Sequence, residues 1–174
     1  VDTVLFFPIE KNKSFYLKNL KISPLDISHD AVDPVCYRFD EDSAANKSCA
    51  IATDLGEITD EMTHSLQELD GTLVESNHDV RMLQMGPYPY NLKQRIWGNK
   101  GHLSNEACGN FINRIISQRL KKIVLGHLSQ ENNYPELAFQ AVRNEINFAE
   151  HAFCTDDIDL KVASRTVPSC NIEF

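Results

Sequence analysis

Apolar positions along this chain change their period twice. Between Ser14 and Phe39 they fall in short runs, Phe15–Leu17, Leu20–Ile27 and Val35–Phe39, broken at Pro24 and at Asp33-Pro34, which predicts strands. Cys49–Thr53 reads as a further short strand. From Thr59 the period lengthens. Thr59 can cap a helix reaching to about Leu69, with Asp60 and Glu61 set at the positive end of its dipole. After Asp70-Gly71 a strand returns at Thr72–Glu75, and Pro87 and Pro89 then lead into a short helix near Leu92–Trp97. Ser104–Ser117 carries Ala107, Phe111, Ile112, Ile115 and Ile116 on one stripe, and Tyr134–Ala149 carries Leu137, Ala138, Ala141, Val142, Ile146 and Ala149 on another. Both stripes predict helices laid on a sheet. A buried strand at Ile123-Val124-Leu125 and a last one at Ile158–Ser164 complete the order. Strands first, then strands alternating with helices, predict a layered α/β domain, and 174 residues suit a single one, 1–174.

The tetrapeptide Gly-His-Leu-Ser occurs twice, at Gly101–Ser104 and Gly126–Ser129, in unlike settings. The first stands at a helix head, where Ser104 or Asn105 can cap the following turn and where unpaired amides favour an anion. The second ends the apolar run at Leu125, so His127 would leave a rigid strand edge toward a cleft.

Composition is that of a folded protein, with 42% hydrophobic and 24% charged residues. Five cysteines, Cys36, Cys49, Cys108, Cys154 and Cys170, include no Cys-x-x-Cys pair, which argues against a disulfide framework or a thiolate zinc site and for reduced thiols in the cytoplasm. No run approaches the length of a membrane span. The Val4–Pro8 run lacks the length and charged flank of a signal peptide, and Val1 in place of a methionine suggests a processed or truncated chain. A net charge of −8 disfavours a polyanionic partner overall. Yet from Val80 to Asn105 there is no acid, while Arg81, Lys93, Arg95 and Lys100 supply cations beside Tyr88, Tyr90 and Trp97. Two readings stay open: a basic, aromatic patch that tracks a nucleic acid strand, or a solvated helix whose aromatics belong to the core.

Polar segments come after the candidate strands at His29-Asp30, Asp54, Glu75-Ser-Asn-His78-Asp79 and His127. Strand exits on one sheet edge converge, and histidine with carboxylate suits zinc, manganese or iron. His64 and His151 read as structural histidines, and Asp54 alone could be a turn residue before Gly56. Taken in order, the strings Ile27-Ser-His29-Asp, Ala52-Thr-Asp54-Leu-Gly56, Leu73-Val-Glu75-Ser-Asn-His78-Asp79, Gly86-Pro-Tyr-Pro through Gly-His102-Leu-Ser-Asn, and Leu125-Gly-His127-Leu-Ser129 resemble the metallo-β-lactamase fold. The resemblance is greatest to its YycJ (WalJ) branch of nucleases, related to tRNase Z and the β-CASP nucleases. It runs colinearly over nearly the whole chain.

That resemblance implies the C-terminal portion of an αββα sandwich binding two divalent metal ions, zinc or manganese. It implies His29, Asp54 and His127 as metal ligands, with Asp54 bridging, and Glu75 as an acid behind them. It implies His102 as the histidine that meets the scissile phosphate or protonates the leaving oxygen, with helix capping as its other reading, and His78 as a less secure second donor. Tyr37 and Arg38 match a pair that belongs to the strand. Tyr88, Lys93, Arg95, Lys100, Ser104 and Asn105 would then contact nucleic acid. The implied activity is a 5′ to 3′ DNA exonuclease using a metal-bridging hydroxide, with a role in DNA repair or replication. The alternatives are a small-substrate hydrolase of the same fold and a non-catalytic binding module.

One departure is large. No His-x-His occurs anywhere in the chain, so the fold's His-x-His-x-Asp-His signature is missing. The expectation is a domain lacking its first half and about half of its ligands, binding metal poorly, catalysing little, and exposing apolar surface that favours self-association.

Overall fold

The computed structural model describes residues 7–169, so Cys170, Val1 and the first three residues of the Val4–Pro8 run lie outside the described residues. Seven strands form one sheet: β1 (Phe15–Leu17), β2 (Leu20–Asp26), β3 (Val35–Glu41), β4 (Ser48–Ala52), β5 (Gly71–Glu75), β6 (Lys122–Gly126) and β7 (Asp159–Val162). They lie side by side in chain order. β1 to β4 pair antiparallel, and β4 to β7 pair parallel.

The helices occupy the parallel half, where each crossover needs one. They are α1 (Asp60–Ser65), α2 (Val80–Met85), α3 (Tyr90–Trp97), α4 (Asn105–Ile115) and α5 (Pro135–Phe148). Met62 of α1, Phe111, Ile112 and Ile115 of α4, and Ala138, Val142 and Ile146 of α5 form one core with Ala50, Ala52, Val74, Ile123, Leu125 and Leu160 of the sheet. The periodicity of α4 and α5 therefore marks the face they bury. The other sheet face presents a register row of Tyr37, Ile51, Leu73 and Val124. Ile51 there is 45% exposed, and Tyr37, Phe39 and Leu73 are half-buried.

Four differences from the sequence pattern have physical causes. β2 runs through Pro24 without a break. The Pro24 carbonyl accepts from Asn12 N–H at 2.7 Å, so the N–H that proline lacks would have faced that same flank, beyond the paired length of β1. α1 stops at Ser65, short of Leu69, where Arg38 donates to the carbonyls of Ser65 and Gln67 at 2.8 Å and Glu68 takes a left-handed φ of 57°. α2 carries no hydrophobic stripe that would mark it. It is capped by Asp79, whose carboxylate accepts from Met82 N–H at 2.8 Å. Finally, the aromatics of the acid-free window are not core residues: α3 buries none of its side chains, and Tyr90 and Trp97 are 74% and 54% exposed.

Among the described residues no helix is long and apolar enough to cross a membrane. The described cysteines, Cys36, Cys49, Cys108 and Cys154, are all free.

Candidate metal centre and the cleft around it

The C-terminal ends of β2, β4, β5, β6 and β7 share one edge of the sheet, and the polar segments beyond them meet there. Asp54 and His127 stand just past their strands with left-handed φ of 61° and 55°, a conformation Asp and His adopt more readily than most residues. The turn redirects each side chain out of the sheet plane toward the other.

Asp54 Oδ1 is the hub. It lies 3.6 Å from His29 Nε2, 3.7 Å from His127 Nε2 and 3.9 Å from His102 Nδ1. The His102 ring packs tilted against both other imidazoles, with centroids 5.1 and 5.3 Å away. Beneath them Glu75 is wholly buried. Its Oε2 takes His127 Nδ1 at 2.6 Å, His102 Nδ1 at 3.0 Å and Asp54 N–H at 2.9 Å, while its Oε1 takes Leu103 N–H at 2.8 Å and Leu55 N–H at 3.3 Å. Burial alone would raise the Glu75 pKa. The hydrogen bonds from His102 and His127 outweigh it and hold the carboxyl at about 2. In return, the bond to Glu75 raises the pKa of His127.

This arrangement fixes the tautomers. His127 and His102 each donate Nδ1–H to Glu75, and His29 Nδ1 is bonded to the Gly101 carbonyl at 3.1 Å. With Nδ1 so engaged, the Nε2 lone pairs of His29 and His127 face Asp54, as ligands to a cation between them require. Tetrahedral donors around zinc stand roughly 3.3 Å apart, so the 3.7 Å gap between Asp54 and His127 fits one ion with a small side-chain adjustment. Asp54, Glu75, His102 and His127 all place a donor atom within 4.8 Å of one another; His29, 3.6 Å from Asp54, stands outside that group, at its border. Glu75 has its oxygens engaged by five donors, which suits orienting the histidines better than binding the ion.

The cleft over this cluster has a volume of about 410 Å³ and is lined by His29, Asp30, Tyr88, Arg95, His102, His127 and Arg165, among others. Arg95 is ion-paired with Asp30 on its rim. Arg165 donates to the Leu128 carbonyl on the other side. Sequence reasoning misses Arg165, although it stands after the last strand on the same edge, the signal that marks His29 and His127.

Other sequence-marked residues fall elsewhere. His78 is 1% exposed and neither ring nitrogen has a partner among the described residues; burial pushes its pKa down to about 4, so it stays neutral near pH 7 and is placed unlike a general acid facing the cleft. Asn105 is wholly buried, held by Ser76 Oγ at 2.6 Å and Asn133 Nδ2 at 2.8 Å, out of reach of a strand on the surface. Ser104 caps α4, accepting from Ala107 N–H at 3.1 Å, which engages the hydroxyl expected to meet nucleic acid. Lys93 donates to the Gln84 carbonyl at 2.7 Å, Tyr88 lines the cleft, and Lys100 lines an adjoining hollow beside His29. His151 bonds Asn113 Oδ1 at 3.1 Å, a structural role.

Comparison with known proteins finds curated relatives and folds of the same kind. Over 144 residues the chain is 43% identical to "Exodeoxyribonuclease WalJ" of Streptococcus pneumoniae serotype 2 (strain D39 / NCTC 7466), a match covering 83% of this chain and 52% of that protein. Over 141 residues it is 36% identical to "Exodeoxyribonuclease YycJ" of Bacillus anthracis, covering 81% and 52%. The chain thus spans about half the length of the curated relatives it matches. Among solved structures, the metallo-β-lactamase fold protein YhfI from Bacillus subtilis superposes with a TM-score of 0.52 at 11% identity, covering 89% of this chain and 50% of that one. No family model matches the chain.

Proposed function

Because the chain belongs to the metallo-β-lactamase fold, on the branch of the WalJ and YycJ proteins, we propose that the whole protein is a metal-dependent phosphodiesterase that shortens DNA from its 5′ end in the cytoplasm. The observation that carries this reading is the ring of His29, His102 and His127 around Asp54, with Glu75 fixing two of the rings from below. His29, Asp54 and His127 would hold divalent ions, zinc or manganese, two in a complete site. Ions bound there would supply Lewis acidity toward water and a phosphoryl oxygen.

The chain's own residues divide the remaining work. Glu75 holds the imidazoles. His102 lines the cleft, and its Nε2 has no partner among the described residues; in the imidazolium form, with Nδ1–H kept on Glu75, the Nε2 proton would be free to pass to a leaving oxygen. Arg95 and Arg165 flank the cleft and can grip a phosphate; Arg95 must share itself with Asp30 to do so. Three protein donors are fewer than two ions require, so the chain by itself is read as a weak metal binder. That shortage is also what favours the second reading, a binding module without catalysis.

The test uses the protein expressed from its complete reading frame, with manganese or zinc and an end-labelled single-stranded DNA. The expected result is release of nucleotides from the 5′ end, abolished by chelation and reduced at least about a hundredfold by Asp54→Asn. Cleavage of thioesters or lactams with DNA left intact would transfer the protein to the small-substrate hydrolases.

A further inference from the structure

α3 is a wall between two cavities. Leu92, Arg95 and Ile96 line the histidine cleft on one side. Tyr90, Lys93, Gln94 and Trp97, spaced i, i+3, i+4 and i+7, line a second cavity of about 860 Å³ on the other, closed beneath by the fully buried Leu83 of α2. Tyr88, just ahead of α3, lines both. The second cavity has aromatic faces left open to solvent, since Tyr90 and Trp97 are 74% and 54% exposed. The Tyr90 hydroxyl accepts from Gln94 Nε2 at 2.6 Å, which holds that ring in place. Lys93 brings an ammonium to the cavity, bonded to the Gln84 carbonyl, and no carboxylate occurs from Val80 to Asn105 in a chain of net charge −8. An apolar ligand would not call for this clearance of acids. A flat aromatic ring joined to an anionic backbone would.

We propose that the α2–α3 cavity seats an unpaired nucleobase of a single strand whose phosphate lies in the histidine cleft, the strand crossing at Tyr88. This rests on the phosphodiesterase reading of that cleft.

Trp97 is the one tryptophan of this sequence, and a Trp97→Phe variant of the full-length protein, run in parallel, isolates its fluorescence. Full-length protein in chelator would be titrated with an oligothymidylate and with an abasic oligomer of equal length, and binding would be followed in parallel by anisotropy of a labelled oligomer. Quenching by the oligothymidylate, absent with the abasic oligomer, is expected, and Tyr90→Ala should weaken oligothymidylate binding about tenfold. Binding by anisotropy without a Trp97 response, or equal quenching by the abasic oligomer, overturns the base subsite while leaving the phosphodiesterase reading intact. A Trp97 signal that tracks protein concentration instead of oligomer overturns it too and assigns the cavity to a second copy. Failure to bind any oligomer, together with failure to hydrolyse bis(p-nitrophenyl) phosphate in the presence of manganese, sinks both.

Discussion

Glu75 is a carboxylate with no exposed surface, and it can remain ionised because five donors from three segments converge on it. It ties the exits of β4, β5 and β6 and the head of α4 to one point. Replacing it by glutamine keeps the volume but removes the charge and turns one acceptor into a donor that faces N–H groups. The expected outcome for Glu75→Gln is a metal affinity lower by about 10- to 100-fold in calorimetric titration, with the far-ultraviolet spectrum retained. Unchanged affinity would show that His102 and His127 are positioned without it. The sequence displays Glu75 and both histidines as isolated letters. That two imidazoles 25 residues apart lean on the same oxygen is a property of the sheet edge, which no local pattern encodes. The converse holds for His78 and Asn105. Their strings match a family, yet burial, which depends on the whole packing, removes them from the cleft.

At the level of elements, legibility goes with packing. α4 and α5 are visible because each buries a stripe, and they meet where Gly109 of α4 sits against Glu145 and Val142 of α5. A Cβ on Gly109 would come within 2.4 Å of Glu145 Cβ, an atom near the backbone that cannot swing away. Alanine gains about 1 kcal/mol of helix propensity over glycine, whereas overpacking a tight contact costs about 1–3 kcal/mol. Gly109→Ala should therefore lower stability by up to about 2 kcal/mol in urea unfolding, and a stabilised variant would mean that the two helices separate easily. α2 and α3 are hard to read for the opposite reason. They bury only Leu83 between them, so no stripe announces α2, and the aromatics of α3 look like core until their exposure is seen. Pro24 misleads for a related cause: whether a proline breaks a strand depends on which side its missing N–H would face.

Over the whole molecule, one sheet carries helices on one face and leaves a largely apolar row on the other. Colinear strings make the fold class legible, because they set the polar turn at the end of each strand. They do not disclose that the seven described strands belong to a single sheet whose helices lie on one face. Parallel strands are normally covered on both faces, which takes a further layer, so the chain as it stands should associate through Tyr37, Ile51 and Leu73. Sedimentation velocity should show mass rising with concentration, and Ile51→Lys, at a position already 45% exposed, should return the chain to monomer with little loss of stability. Monomer at every concentration would mean that the row is tolerated in water.

The order β1 to β7 bears as well on how the molecule comes to exist. Each described strand lies against its neighbour in the sequence, yet the closures are unequal: short antiparallel connections join β1 to β4, whereas Gly71 of β5 pairs with Lys122 of β6, some fifty residues on. Closure entropy grows with that separation, so the antiparallel strands should pair before the parallel ones. The sheet edge that gathers Asp54, Glu75 and His127 is complete only once β6 docks, and so waits on the longest of these closures.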